Sequence, residues 1–168
     1  MDPRKQEIIE IAVLRVSQEW SEEGKPSFSE IFSWNVKIKP QHIERADLAA
    51  LRVNGYVASE WKHAVSLEDA LREFSEKTEG AIMVAHNVAF DSEFLNFNLS
   101  RYGIQNNMHY HRLDTVSMAY ASLHATPEVT RYSLVELCKY FQIPFENPHS
   151  ALPDVYADFA LFKKILEL

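Results

Sequence analysis

Strand-like and helix-like patterns of apolar residues occupy different parts of the chain. Residues 8–16 carry β-branched and other apolar side chains over the length of a strand, which predicts a strand inside a sheet. A polar stretch with the turn-forming triplet Gly24-Lys25-Pro26 follows, and strand-like alternation resumes over 28–39. The N-terminal part of the chain therefore predicts a β-hairpin.

The remaining pattern predicts helices separated by single short strands. Ser66 is placed to cap a helix at its start and Gly80 to end it. The full set of predicted elements is short helices within 41–53, a helix after Ser66, strand 82–86, helix 89–102, strand 111–113, helix 115–123, a helix to 141 capped by Ser133, and helix 150–168. Strands followed by helices that alternate with strands are typical of an α/β fold.

Two of the predicted helices carry aromatic stripes that predict their buried faces. Phe90, Phe94, Phe97 and Arg101 are spaced to share one face of helix 89–102, and we expect the phenylalanines to lie in the core. The expected buried face of the last helix consists of Val155, Phe159, Phe162 and Leu166.

Composition narrows the class of protein. With 168 residues and 46% hydrophobic content, the chain predicts a single globular domain, 1–168. Its net charge of -7 argues against a general nucleic-acid binder, because such proteins neutralise phosphates with a basic surface. An enzyme that holds only a strand end, with divalent cations neutralising part of the charge, can still be acidic.

Cysteine usage and hydropathy bear on the setting of the protein. Cys138 is the only cysteine, which excludes a disulfide framework or a cysteine-built zinc site within the chain and fits a reducing, cytoplasmic setting. The longest apolar runs are about five residues, whereas a membrane span needs roughly 20. We expect a soluble protein that does not contact membranes.

Two polar segments are candidates for chemistry. The predicted strand 82–86 ends in His86-Asn87, and Asp91 follows in the first turn of the next helix. His149 and Asp154 lie at the start of the last helix, where Ser150 is placed as the N-cap. Ligands bind at the carboxyl ends of strands in open α/β sheets, and helix N-termini favour anions such as phosphate. Carboxylates and an imidazole at such an edge point to metal-assisted chemistry.

These two motifs, Met83–Asp91 and His149–Asp154, resemble those of the DEDD superfamily of 3′-to-5′ exonucleases. The match is to the subtype with His-x-x-x-x-Asp as its last motif, the DnaQ-like group of the polymerase III epsilon exonuclease domain and ribonuclease T. Leu113-Asp114-Thr115 and Tyr132-Ser133-Leu134 also look like landmarks of this family, so the resemblance spans nearly the whole chain. It implies a ribonuclease H-like fold, with a mixed central sheet flanked by helices.

The resemblance also implies a function and the residues that perform it. Asp91 and Asp154 would be ligands of two Mg²⁺ or Mn²⁺ ions, and His149 would take the proton from the attacking water. The residues implied to contact the substrate are His86, Asn87 and Phe90. The implied substrate is the 3′ end of single-stranded DNA or RNA, and the implied protein partner is a polymerase or another protein.

One feature of the family is absent from this sequence. The family carries an Asp-x-Glu on a strand a few residues upstream of a stretch like 2–12, and here the chain begins inside that loop. Without this central strand, two rows of backbone groups would lose their partners, each buried group costing on the order of 1 to 3 kcal/mol. We therefore expect either a truncated version of a longer protein or another segment, partner chain or differently closed sheet in that place.

Two functional interpretations follow. In the first, the protein is an exonuclease, and the 168 residues alone show little or no activity because two of four carboxylates remain. In the second, it is a non-catalytic module that keeps the fold to bind nucleic acid or a protein. The roles of two further acidic residues have alternatives. Asp114 is expected to cap the following helix, and the alternative is a position at the edge of the site. Asp158 is expected to be solvated, and the alternative is a supporting role behind the metal ligands.

Overall fold

The chain opens with the predicted β-hairpin in a computed structural model that describes residues 2–145 and 150–168. Strand β1 (Glu10–Trp20) pairs antiparallel with β2 (Pro26–Lys37). Gly24 lies in the connecting turn with a φ of 75°, a conformation that glycine adopts without steric cost. The hairpin is confirmed, although β1 starts and ends later in the chain than the apolar pattern indicated.

The other elements follow in the predicted order. They are a 3-10 turn (Ile43–Arg45), α1 (Leu48–Val53), α2 (Leu67–Lys77), β3 (Met83–Ala85), α3 (Val88–Arg101), β4 (Arg112–Asp114), α4 (Thr115–Leu123), α5 (Leu134–Tyr140) and α6 (Ala151–Leu166). The predicted caps are present, since the side chains of Ser66 and Ser133 accept backbone N–H groups in the first turns of α2 and α5. None of the helices in the described part of the chain is long and apolar enough to span a membrane.

The strands form two small sheets. β3 pairs in parallel with β4, and β1 pairs only with β2 among the described residues. The combination of antiparallel and parallel pairing, with helices around it, confirms the α/β class. No backbone pairing joins β1 to β3 within 2–145 and 150–168, and the expectation that a further strand fills this position stays a prediction.

The hairpin separates two groups of helices. On one face, β1 packs with α2 and α3 in a first core, which consists of Ile11, Ile38, Ala70, Leu71, Phe74, Leu95 and Leu99. On the other face, Phe28 of β2 contacts the rings of Phe159 and Phe162 on α6, at centroid distances of 5.8 and 5.7 Å. The hairpin is thus the middle layer between α2–α3 and α6.

A β-bulge in β2 places two of its phenylalanines on opposite faces of the hairpin. Arg15 is opposite Phe32 and Val16 is opposite Glu30, so Ile31 is an extra residue in β2. A bulge reverses the facing of the side chains beyond it, because side chains alternate along a strand. Phe28 therefore faces α6, whereas Phe32 faces Lys77 of α2, whose ammonium lies 5.2 Å from the ring centroid.

A second core joins α4, α5 and α6. Its buried members are Ala119, Leu123, Leu137, Leu161 and Ile165. Because Leu161 and Phe162 are adjacent on α6, this helix contributes to the second core and also contacts the hairpin.

The predicted buried faces of two helices are wrong in part. On α3, Phe90 is 39% exposed and Arg101 is exposed, while Leu95 and Leu99 are buried against the first core. On α6, Leu166 is 45% exposed. The buried residues of α6 are Ala157, Asp158, Leu161, Phe162 and Ile165.

Candidate active site

Asp91 is positioned by the turn between β3 and α3. The backbone of Asn87 takes a left-handed conformation, with a φ of 67°, which lets the chain turn sharply from the strand into the helix. Asn87 occupies the N-cap position of α3 but makes no capping hydrogen bond with its side chain. Asp91 follows in the first turn of α3 and is half-buried.

Asp114 connects the N-termini of two helices. One of its carboxylate oxygens accepts a hydrogen bond from the N–H of Ser117 in α4, at 3.1 Å. The other accepts one from the N–H of Val88 in α3, also at 3.1 Å. The expected cap of α4 is confirmed, and the bond to α3 is an addition that the sequence did not indicate.

Asp154 lies in the first turn of α6. Ser150 occupies the N-cap position, as predicted, but its side chain makes no capping bond. The carboxylate of Glu10 accepts a hydrogen bond from the N–H of Ala151 at 3.4 Å, and it also accepts one from the Asn35 amide at 3.0 Å. The start of α6 is therefore attached to the hairpin.

A buried hydrogen-bonded network lies behind these carboxylates. The two ring nitrogens of His86 lie 3.0 Å from the hydroxyl of Thr115 and 3.0 Å from the carbonyl oxygen of Tyr132. The Thr115 hydroxyl is 2.6 Å from the carboxyl of Asp158, which is only 7% exposed. The expectation that Asp158 is solvated is wrong, because the Thr115 hydroxyl provides a partner that makes its burial tolerable.

The hydrogen bonds of this network require one additional proton on either His86 or Asp158. The Tyr132 carbonyl can only accept, so the ring nitrogen facing it must carry a proton. Thr115 has a single hydroxyl proton, yet it takes part in two hydrogen bonds. Both are made only when His86 and Asp158 together hold one proton more than a neutral imidazole and a carboxylate. Burial lowers the pKa of His86 and raises that of Asp158, which favours placing this proton on Asp158.

Three carboxyl groups raise the pKa of a fourth, Asp158, and we call Asp91, Asp114, Asp154 and Asp158 the acidic cluster. Burial raises the pKa of Asp158 from 3.8 to about 6, the hydrogen bond from Thr115 opposes this shift, and the negative charges of the other three members add to it. Burial also raises the pKa of Asp91 from 3.8 to about 6. Asp91 and Asp154, although 63 positions apart in the sequence, both lie near enough to Asp158 for their charges to raise its pKa.

The other predicted site residues lie in different surroundings. His149 is outside the described residues. His86 has both ring nitrogens engaged within the protein, and Asn87 is exposed at the turn before α3. The ring of Phe90 lies against that of Phe94, with centroids 4.9 Å apart. The substrate-binding roles of His86, Asn87 and Phe90 stay predictions.

Thr115 and Glu10 were missed as parts of the site. Thr115 reads as the first residue of a helix, and nothing in its sequence neighbours indicates that its hydroxyl joins two ionisable groups. Glu10 reads as a polar residue on a strand. Asp158 did carry a usable signal, since it is four residues from Asp154 and such residues share a helix face.

The donor chemistry of the acidic cluster fits a hard divalent cation. Carboxylate oxygens are the ligands that Mg²⁺ and Mn²⁺ prefer, and Asp91 and Asp154 both sit in the first turns of helices. Within residues 2–145 and 150–168, however, no group of three or more His, Cys, Asp and Glu side chains is arranged to hold an ion. The described residues alone therefore form no complete site for an ion.

The fold is that of a class of solved structures, exonucleases with a ribonuclease H-like fold. The nuclease domain of 3'hExo, described as a DEDDh family member bound to rAMP, superposes with a TM-score of 0.65 over 95% of this chain and 92% of its own, at 11% sequence identity. A 3'-exonuclease described in 3'-end specific recognition of histone mRNA stem-loop gives a TM-score of 0.63 over 95% of this chain and 82% of its own, at 9% identity. At such low identity, these likenesses show the fold.

The sequence places the chain within that class. Residues 1–162 match the family model RNase_T, described as "Exonuclease", and the chain belongs to this family of DnaQ-like DEDD exonucleases. It is 38% identical over 106 residues to "DNA polymerase III PolC-type" of Lactococcus lactis, an alignment covering 63% of this chain and 6% of the polymerase. The polymerase of the same description from Caldanaerobacter subterraneus is 30% identical over 118 residues, covering 69% of this chain and 8% of its own. The chain thus spans less than a tenth of the length of these relatives.

Proposed function

We propose that the protein is a 3′-to-5′ exonuclease domain that hydrolyses phosphodiester bonds at the 3′ ends of single-stranded DNA or RNA. The observation that carries this proposal is that Asp91 and Asp154, from the first turns of two different helices, both raise the pKa of the buried Asp158. Membership of the exonuclease family supports the reaction class. The polymerase relatives support a polymerase or another protein as partner, and a cytoplasmic setting is part of the proposal.

In this proposal each residue has a distinct task. Asp91 and Asp154 hold two Mg²⁺ or Mn²⁺ ions through carboxylate oxygens. Bound cations of this kind supply a more acidic water and charge neutralisation at the leaving oxygen. His149 accepts the proton of the attacking water, a task suited to an imidazole with an ordinary pKa of about 6.5. The helix N-termini that carry Asp91 and Asp154 favour the negative charge of the scissile phosphate.

We further propose that the 168 residues by themselves hydrolyse nucleic acid slowly or not at all. Two ligand carboxylates neutralise less of the charge of two divalent ions than four do, so the ions bind weakly. The lack of a three-ligand group among residues 2–145 and 150–168 agrees with this. Fast metal-dependent degradation by this chain, abolished in Asp154→Ala, would contradict weak activity while supporting the nuclease assignment.

The test combines Mn²⁺ binding with product analysis. We expect Mn²⁺ to raise the melting temperature of the wild-type chain, and this rise to be lost in Asp91→Asn and Asp154→Asn. Glu136→Gln is the matched control, because Glu136 is also an acid in the first turn of a helix but is exposed on α5. Incubation with a 5′-labelled oligonucleotide should show slow shortening from the 3′ end that EDTA stops. Shortening unaffected by Asp154→Asn would refute the assignment.

A second candidate function is a non-catalytic module of the same fold that binds nucleic acid or a protein. The incomplete set of ligands among the described residues favours it. Under this function Mn²⁺ leaves the melting temperature unchanged, and the site variants bind their partner as the wild type does.

A further inference from the structure

Helix α3 begins without a capping side chain of its own. The first four N–H groups of a helix have no partner within it, and the residue at the N-cap position usually supplies one. Asn87 holds this position in α3, but its left-handed backbone leaves its side chain without a capping bond. The N–H of Val88 donates instead to Asp114, which is 26 positions away in the sequence.

The same carboxylate serves a second helix, with one oxygen for each. Asp114 is the N-cap of α4, where its other oxygen accepts the N–H of Ser117. A negative charge at two helix N-termini is favourable at both, because each end carries partial positive charge. Asp114 also ends β4, which pairs with β3 through Ala85 and Asp114. It therefore links the start of α3 to the paired strands.

We propose that Asp114 is a positioning residue for Asp91. Asp91 lies in the first turn of α3, three residues after Val88, so the bond to Val88 sets where the Asp91 carboxyl stands relative to Asp154 on α6. Asp114 acts through Asp91 and does not itself touch a cation. This inference rests on the proposed function, because it concerns the same site.

Two substitutions separate the two bonds of Asp114. A serine is a good N-cap and can still accept the N–H of Ser117, three residues on, but its hydroxyl is too short to reach Val88. Asp114→Ser therefore keeps the cap of α4 and removes the bond to α3, whereas Asp114→Ala removes both. Asp47→Ser is the matched control, because Asp47 caps α1 by accepting the N–H of Ala49 and lies outside the acidic cluster.

The experiment measures amide hydrogen exchange by NMR and Mn²⁺ affinity by titration. In Asp114→Ser we expect Val88 to exchange faster, Ser117 to keep its protection, and Mn²⁺ affinity to fall by roughly tenfold or more, the range found when a group supporting a metal ligand is lost. Asp47→Ser should leave Mn²⁺ affinity unchanged. A merely structural role of Asp114 would lower the melting temperature without changing Mn²⁺ affinity.

The outcomes that overturn the proposal differ from those that overturn the proposed function. Faster exchange at Val88 with wild-type Mn²⁺ affinity would show that Asp114 does not position Asp91, and unchanged exchange at Val88 would show that the bond does not hold α3. If the wild type binds no Mn²⁺, the proposed function fails. The amide of Asp91 then decides: faster exchange in Asp114→Ser supports the positioning role, and unchanged exchange overturns it.

Discussion

Asp158 and Asp91 are held in surroundings that disfavour their charged forms. Burial raises the pKa of each carboxyl to about 6. For Asp158 the physical context is specific, because the Thr115 hydroxyl is its hydrogen-bond partner and three further carboxyl groups repel its negative charge. A cation bound at the acidic cluster would favour the ionised forms of both carboxyl groups and so lower their pKa values.

The raised pKa of Asp158 predicts the direction of a pH effect on stability. Between about pH 4 and 6 the folded state binds more protons at Asp158 than the unfolded state, so the free energy of unfolding falls as pH rises. We expect Asp158→Asn to remove this loss, since the amide carries no charge and its N–H can donate to the Thr115 hydroxyl as the protonated carboxyl does. The difference in free energy of unfolding between the variant and the wild type should therefore be about 2 kcal/mol more favourable to the variant at pH 7 than at pH 4.

Urea unfolding at a series of pH values measures this effect. Glu128→Gln, which removes an exposed carboxylate, should run parallel to the wild type. A difference between Asp158→Asn and wild type that does not change with pH would show that Asp158 is not the group that titrates.

The two proposed ligand carboxylates of the site could be predicted from the sequence, whereas the buried hydrogen-bonded residues near them could not. Asp91 and Asp154 are recognisable from their motifs and their places at helix starts. The role of Thr115 and the burial of Asp158 could not be predicted in this way, because the burial of a polar side chain depends on a partner brought by another element. Asp114 was predictable in part. Its capping of α4 follows from the preference for Asp at N-cap positions, whereas its bond to Val88 requires the pairing of β3 with β4.

At the level of elements, the helix starts and ends were predictable where a local signal sets them. Ser66 and Ser133 cap the predicted helices, and α4 has the predicted bounds. The buried faces of α3 and α6 were not fully predictable from the sequence, because they depend on how neighbouring elements pack against each helix. The bulge at Ile31 left no local signal either, yet it decides which side chains of β2 meet α6.

This bulge predicts different results for truncating Ile31 and for inserting a residue opposite it in β1. Ile31 is 58% exposed, so Ile31→Ala should change the free energy of unfolding by about 0.5 kcal/mol or less. Insertion of an alanine between Arg15 and Val16 would give Ile31 a partner, restore regular alternation in β2 and put Phe28 on the same face as Phe32, away from Phe159 and Phe162. Because Phe28 is half-buried, the loss should be about 1.5 kcal/mol or more.

Thermal and urea unfolding of the two variants provide the comparison. Similar stabilities of the insertion variant and of Ile31→Ala would show that the hairpin shifts register at little cost and that the bulge does not orient Phe28.

Across the whole molecule, α6 connects the parts that form the site. It contacts the hairpin through Phe159 and Phe162, joins α4 and α5 in the second core through Leu161, and carries Asp154 and Asp158. Asp91 comes from α3, on the other side of the hairpin. The position of the acidic cluster therefore depends on both groups of helices at once.

The charge of the whole molecule separates the two candidate functions. A net charge of -7 and an acidic cluster oppose binding of a polyanion, so without divalent cations we expect a fluorescent single-stranded oligonucleotide to bind weakly, with a Kd of about 10⁻⁴ M or more. Saturating Mn²⁺ should tighten binding in wild type and have no such effect in Asp91→Asn. Micromolar binding in EDTA that weakens steeply with salt would reveal a basic surface and favour the non-catalytic nucleic-acid module, since ionic contacts with phosphates, not cations at the acidic cluster, would then hold the strand.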